Sequence, residues 1–141
     1  MNANSSTTVS AELGLSLVVA EHGAVPLVAS LYYRADDPYA IRMAFHVGTD
    51  EPVEWIFARD LLAAGLHEPA GEGDVQIWPA DEDGTGILNI DLSSPFGDAH
   101  FEAPLSTTAA FLQRTFALIA TGHESEFADL ESELDELLSN G

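Results

Sequence analysis

Hydrophobic and polar residues alternate along much of the first three-quarters of the chain. From Val9 to Val19 every odd position is apolar, while Ser10, Glu12 and Ser16 lie between them. A period of two is typical of a β-strand with one buried face. The same pattern predicts strands over Val9–Val19, Val25–Arg34, Ala40–Val47, Val53–Ala58, Val75–Trp78, Gly86–Leu92 and Ala99–Ala103. The sequence therefore predicts about seven strands.

Helical spacing appears once between the strands and again near the end of the chain. Ala58–Leu66 is rich in helix formers and reaches a natural stop at Gly65. A longer helix, with Ser106 or Thr107 as its N-cap and Gly122 at its end, has one apolar face formed by Leu105, Ala109, Leu112, Phe116 and Ile119. Phe127, Leu130, Leu134 and Leu137 predict a last helix whose other face is mostly acidic.

These elements predict an α+β fold in a single domain spanning residues 1–141. We expect two packed antiparallel sheets with a short inserted helix and two C-terminal helices. The pattern of strands and turns is equally compatible with one strongly twisted barrel.

The charge balance narrows the classes of partner. The chain carries 24 Asp and Glu residues against 4 basic residues, which gives a net charge of −20. All four basic residues are arginines: Arg34, Arg42, Arg59 and Arg114. Four scattered arginines do not form the basic stripe that nucleic-acid binding needs, and the acidic surface repels phosphate backbones. We therefore expect no nucleic-acid partner.

Features that the sequence lacks exclude several further classes of protein and site. The chain has no cysteine, so it forms no disulfide framework and has no thiolate zinc site, which is compatible with a cytoplasmic protein. Met1–Ser10 carries no basic residue, unlike the start of a secretory signal. No apolar run reaches the ~20 residues needed to cross a bilayer, so we expect no direct membrane insertion.

Two groups of residues resemble metal ligands without completing a site. His100 and Glu102 would share one face of a strand, but a solvated polar pair is the preferred interpretation. Asp81–Gly86 resembles the start of a calcium loop, but Leu92 occupies the position that requires a bidentate glutamate. We therefore predict no metal site, no cofactor and no catalytic residue, and an enzyme is the least favoured class.

Several segments of the chain have a distinctive composition, order and spacing. They are Asp37–Ala40, Phe45–His46, Val53–Leu66, Gly73–Pro79, Leu92–Pro95 and Phe111–Thr115. In this order and spacing they resemble the SsgA-like proteins of sporulating actinomycetes. The most specific are WIFARDLLAAGL, which begins at Trp55, and DVQIWP, which begins at Asp74. The resemblance extends from about Thr8 to Leu138.

The resemblance implies a non-enzymatic adaptor in sporulation-specific cell division, located at the septum. It implies that the chain helps to position or recruit the tubulin-like protein FtsZ, together with an SsgA-type protein. It also implies a Whirly-like fold and a homo-oligomer, with a trimer favoured. Whirly proteins bind single-stranded nucleic acid, so such a regulator is the alternative function, which the charge of −20 opposes. A small-molecule module with an apolar pocket between the sheets is a third hypothesis.

Residues at the predicted strand ends are the candidates for contact with a protein partner. They are Asp37, Tyr39, Trp78, Pro95 and Phe96. Each is also a normal turn or packing residue, and for Trp78 the two interpretations are evenly balanced. Gly122 is a further candidate, because it would set the angle between the last two helices.

Overall fold

The computed structural model describes residues 7–21, 23–46, 51–95, 97–126 and 137–138. Within these residues the chain forms eight strands and two longer helices. In chain order they are β1 (Thr8–Val19), β2 (Gly23–Arg34), β3 (Ala40–His46), β4 (Val53–Ala58), α1 (Arg59–Gly65), β5 (Ala70–Glu72), β6 (Val75–Glu82), β7 (Thr85–Ser94), β8 (Gly97–Pro104) and α2 (Leu105–Leu118).

All eight strands belong to one antiparallel sheet, in the order β4-β3-β2-β1-β8-β7-β6-β5. The prediction of two separate sheets is therefore not confirmed. Two four-stranded halves meet where residues 16–18 of β1 pair with residues 100–102 of β8. The structure has one sheet where the sequence predicts two, because these three residue pairs join the two halves into one hydrogen-bonded sheet.

The sheet curls so that its two halves face each other. Phe45 on β3 and Phe101 on β8 are three strand spacings apart in the sheet order, or about 14 Å if the sheet were flat. Their rings nevertheless stack with centroids 4.5 Å apart. The halves therefore pack face to face around one core.

The alternating apolar residues form this core, as the period of two predicts. The largest fully buried apolar side chains are Leu13, Leu31, Tyr33, Ile41, Met43, Leu62, Ile77, Leu88, Ile90, Phe111 and Ile119. Helix α2 packs on β1, β7 and β8 and contributes Phe111 and Leu112 to the core. Helix α1 packs on β5 and β6, where a Cβ at Gly65 would overlap the side chain of Ile77.

The sequence missed β5 and placed some boundaries wrongly. β5 is three residues long and has no apolar alternation that the sequence could show. It pairs with β6 across a turn. The stretch interpreted as a turn at Pro79–Thr85 is mostly strand, because β6 continues to Glu82 and the chain reverses at Asp83 and Gly84. Asp81 closes that turn by accepting a hydrogen bond from the Gly84 N–H at 2.8 Å.

The C-terminal helices are only partly within the described residues. Helix α2 begins at Leu105, directly after Pro104, and has no side-chain cap. Ser106 and Thr107 therefore lie inside its first turn and are not the N-cap. The predicted last helix falls mainly on residues 127–136, which lie outside the described residues.

Candidate protein-binding surface

A buried arginine holds together the chain segments at one end of the sheet. Arg59, the first residue of α1, is 1% exposed. Its guanidinium donates to the carbonyls of Thr115 at 3.1 Å and Ile119 at 2.8 Å, and to Glu124 Oε2 at 3.0 Å. The positive charge thus lies at the C-terminal end of α2, where the helix dipole is negative.

Aromatic rings complete the surroundings of this arginine. The Arg59 guanidinium carbon lies 4.8 Å from the ring centroid of Tyr33 and 4.2 Å from that of Phe116, within the range of cation–π attraction. Burial raises the pKa of Tyr33 to about 12, although the neighbouring Arg59 charge opposes this shift. The Tyr33 hydroxyl donates to the carbonyl of Pro38 at 2.9 Å, which ties the β2–β3 turn to the same centre.

Glu124 is the acidic partner in this buried centre. Its pKa is lowered, first by a hydrogen bond from its own backbone N–H and then by Arg59 and the Gly122 N–H, while burial opposes the shift. The Gly122 N–H donates to Glu124 Oε1 at 2.8 Å. Gly122 has a φ of +89°, a left-handed conformation that favours glycine. It therefore shapes the turn that brings Glu124 to Arg59.

Asp37 and Tyr39 lie in the turn that follows β2. Asp37 Oδ2 accepts a hydrogen bond from Arg42 at 2.9 Å, and Arg42 also lies 3.9 Å from Glu54 on β4. The Tyr39 carbonyl accepts a hydrogen bond from the Arg59 N–H at 2.8 Å, while Tyr39 as a whole is 53% exposed. Both residues therefore lie beside β4, one in an ion-pair chain and the other with a half-exposed ring.

We define the β4 edge surface as Tyr39, Val53, Glu54 and Ile56. Strand β4 pairs with β3 on one side, and none of the strands described here pairs with its other side. Val53 and Ile56 are each 52% exposed although both are large and apolar. The surface therefore combines apolar side chains with backbone groups that lack a strand partner.

An apolar cleft opens beside β4, between the two halves of the sheet. It has a volume of about 190 Å³ and is lined by Phe45, Val53, Trp55, Leu92, Ser94, Gly97, Ala99 and Phe101. Pro95 is exposed in the β7–β8 turn, directly after Ser94 of the cleft wall. Phe96 lies outside the described residues.

Trp78 lies away from this surface, on the outer face of β6. Its ring centroid is 5.4 Å from that of His100. His100 Nδ1 lies 2.5 Å from Asp91 Oδ1, and Nε2 lies 3.0 Å from Asn89 Oδ1. Both ring nitrogens are therefore engaged within a polar cluster on β7 and β8. Among the described residues no group of three or more acidic, histidine or cysteine side chains is arranged to hold a metal ion.

The structure places only some of the residues predicted to contact a partner near β4 and the apolar cleft. Asp37 and Tyr39 lie beside β4, Pro95 lies next to the cleft, and Gly122 acts through Glu124 on the buried Arg59. Sequence reasoning missed Val53, Ile56 and Arg59. A signal existed for Ile56, because it breaks the alternation of β4 by placing an apolar residue on the face opposite Val53, Trp55 and Phe57.

Comparison with known proteins identifies the family. A family model described as "Streptomyces sporulation and cell division protein, SsgA" matches residues 27–124. The chain belongs to this SsgA family. None of the helices in the described ranges is both long and apolar enough to span a membrane.

Relatives within the SsgA family include proteins named sporulation-specific cell division protein SsgB. The one from Thermobifida fusca is 52% identical over 136 residues, which cover 96% of this chain and 99% of the relative. The one from Streptomyces coelicolor is 50% identical over 133 residues, which cover 94% and 97%. The predicted resemblance to SsgA-like proteins is therefore confirmed, and within that family the chain is most similar to proteins named SsgB.

Solved structures agree with this assignment over most of the chain. An SsgA-like sporulation-specific cell division protein from Thermobifida fusca superposes with a TM-score of 0.88 at 51% identity, covering 96% of this chain and 98% of that one. A structure reported with SsgB mutations that correlate to longitudinal cell division during sporulation of Streptomyces coelicolor has a TM-score of 0.83 at 50% identity, covering 86% and 96%. Family and fold together assign the chain to sporulation-linked cell division.

Proposed function

We propose that this SsgA-family chain is a non-enzymatic adaptor that acts at the division septum and helps to position or recruit FtsZ, together with an SsgA-type protein. The observation that carries the proposal is the β4 edge surface. Tyr39, Val53 and Ile56 are each about half exposed along this edge, and large apolar side chains on an edge strand without a strand partner offer a place for another chain to bind. The names of the relatives supply the process, and this surface supplies a place for a partner.

The charge of the chain determines what kind of contact this adaptor makes. A net charge of −20 gives no long-range attraction to an acidic partner, and FtsZ proteins are acidic. Affinity for such a partner then rests on apolar burial and hydrogen bonds at short range. A contact of this kind weakens little as salt increases.

Co-sedimentation with FtsZ polymers at near-physiological salt tests the adaptor function. We expect the parent chain to sediment with the polymers or to raise their yield. Tyr39→Glu places a charge on the β4 edge surface, so it should reduce co-sedimentation. Val28→Glu is the matched control, because Val28 is 45% exposed but lies on β2, which has strand partners on both sides. If the parent has no effect on FtsZ, direct recruitment is wrong.

The Whirly-like likeness and the homo-oligomer belong to the same proposal. We propose that the curled sheet is a Whirly-like fold that assembles as a trimer and does not bind nucleic acid. The charge of −20 supports the absence of nucleic-acid binding, because binding of a single strand requires an electropositive groove. Sedimentation velocity measures the mass, and a gel-shift with single-stranded DNA at physiological salt tests the binding. A measurable shift would refute that part.

A further inference from the structure

The two edges of the sheet differ in their capacity to accept another strand. β5 forms one edge, but it has three residues and its Gly71 has a φ of +129°, outside the extended range of a strand. β4 forms the other edge with six residues. Natural edge strands are usually protected by charge, proline or a bulge, whereas Glu54 is the only charged residue within β4. Among the strands of the described residues, β4 is therefore the edge open to a further strand.

The side chains of β4 show what an added strand would meet on each face. Val53 and Trp55 point toward the apolar cleft, which both residues line. Glu54 and Ile56 point to the opposite face, opposite Ala44 and Arg42 of β3. Side chains of a strand placed next to β4 would alternate in the same way. One set would enter the mouth of the cleft, and the other would lie next to Glu54.

Charge distinguishes between a foreign peptide and a second copy of the chain. The Glu54 side chain is 47% exposed, and each copy carries a net charge of −20. Two paired β4 edges would place the Glu54 carboxylates of both copies on adjoining strands, with Arg42 at 3.9 Å offsetting only part of their charge, and like charges on paired strands are destabilising. A strand with lysine, arginine or neutral residues on its outward face has no such repulsion.

We propose that β4 binds an extended peptide of a partner protein by strand addition. The peptide has large apolar side chains at alternate positions, which occupy the apolar cleft, and basic or neutral side chains between them. Backbone hydrogen bonds to β4 supply the part of the affinity that does not depend on the peptide sequence, and the cleft selects which side chains can point inward. This inference rests on the adaptor function proposed above and adds the chemistry of the partner segment.

The test uses a fluorescein-labelled peptide of eight residues in which isoleucine and lysine alternate, followed by fluorescence anisotropy at physiological salt. A second peptide has the same sequence but carries N-methyl groups on the backbone nitrogens that would face β4. N-methylation removes the backbone donors and keeps the charge. We expect it to weaken binding at least about tenfold. Equal binding of both peptides would mean that the acidic surface attracts any cation, which overturns the proposal.

Two double variants locate the binding site. Val53→Lys with Ile56→Lys alters the edge, whereas Val18→Lys with Val28→Lys adds the same charge to half-exposed valines on β1 and β2, strands that are paired on both sides. We expect the first variant to lose binding about tenfold and the second to change it less than about threefold. Equal losses overturn the proposal. If the edge variant does not fold, the comparison of the two peptides on the parent chain decides.

Two further outcomes separate this inference from its neighbours. If Val53→Lys with Ile56→Lys dissociates an oligomer in sedimentation velocity while the control double variant does not, a second copy covers the edge and strand addition is wrong. The peptide assay contains no FtsZ. Edge-dependent binding without FtsZ co-sedimentation therefore supports strand addition and contradicts FtsZ as partner. If the edge variant co-sediments with FtsZ as well as the parent chain does, the result supports FtsZ as a partner and contradicts strand addition at β4.

Discussion

Arg59 shows how a single buried charge organises one end of this molecule. Removing a guanidinium from water is costly, and the cost is offset only by well-formed partners. Arg59 has three such acceptors, two carbonyls and Glu124, and two aromatic rings lie against its faces. Its Nε is the one buried side-chain nitrogen or oxygen without a partner among the described residues. The arrangement is thus nearly, but not completely, satisfied.

Replacing Arg59 by leucine should destabilise the fold far more than replacing a surface arginine. Arg59→Leu leaves the carboxylate of Glu124, whose side chain is 8% exposed, without its cation, which should lower the free energy of unfolding by about 3–5 kcal/mol. Arg34→Leu is the control, because its ion pair with Asp36 is exposed and should contribute at most about 1 kcal/mol. Urea unfolding of both variants measures the difference, and similar losses would contradict the structural role.

The hydroxyl of Tyr33 should make stability depend on alkaline pH. Its pKa is raised from 10.0 to about 12, so ionisation favours the unfolded state as pH rises above 10. The contribution is complete below pH 10 and is lost as pH rises toward 12, by about 2–3 kcal/mol in all.

Tyr33→Phe isolates this effect. At pH 8 the variant should be about 1 kcal/mol less stable than the parent, because the Pro38 carbonyl loses its donor. Only the parent then loses stability through Tyr33, so the gap should close near pH 11. Urea unfolding at pH 8, 10 and 11 gives the comparison. A gap that stays constant over this range would show that Tyr33 titrates normally.

The sequence could not reveal this centre at the level of single residues. Arg59 appears there as one of four scattered arginines, and its partner Glu124 is 65 positions away. Asp37 and Tyr39 were found as turn residues, since Asp-Pro favours a turn. Their position beside β4, in contrast, depends on the register of Ala40 with Ala58, which no local pattern encodes.

At the level of elements, the strands with clear alternation were predicted well, whereas elements that depend on tertiary pairing were not. β1 and β4 begin and end within one residue of their predicted bounds, because each has one apolar face. The number of sheets depends on three residue pairs between β1 and β8, which alternation alone does not specify. The apolar cleft follows from the same curl and was equally hidden.

Gly122 lies in the turn that follows α2, and its backbone conformation gives a test. Gly122→Ala forces a side chain into a left-handed φ of +89°, which costs about 1–2 kcal/mol, and any shift of the turn also weakens the bond to Glu124. Gly14→Ala is the control, since Gly14 lies within β1 and an added Cβ meets no atom within 4 Å. Thermal unfolding should show a lower midpoint for Gly122→Ala alone, and FtsZ co-sedimentation of the folded variant tests its predicted role in partner binding. Unchanged binding would remove Gly122 from the interface.

At the scale of the whole molecule, the excess of acid is a property of the surface. Glu124 is the only buried carboxylate among the described residues, and it has its own cation. The remaining acidic side chains with a described exposure are at least partly solvated. Their mutual repulsion opposes the compact state, because unfolding moves like charges apart.

Stability should therefore rise as salt screens this repulsion. The Debye length falls from about 30 Å at 0.01 M to about 10 Å at 0.1 M, so most of the gain should occur below about 0.2 M sodium chloride. Urea unfolding at a series of salt concentrations measures it, with sucrose as the control, since sucrose stabilises by exclusion from the surface and acts in proportion to its concentration. A rise that is linear in salt, or no rise, would mean that the charge of −20 costs the fold little. In that case the acidity would have to be explained by the partners that this surface selects.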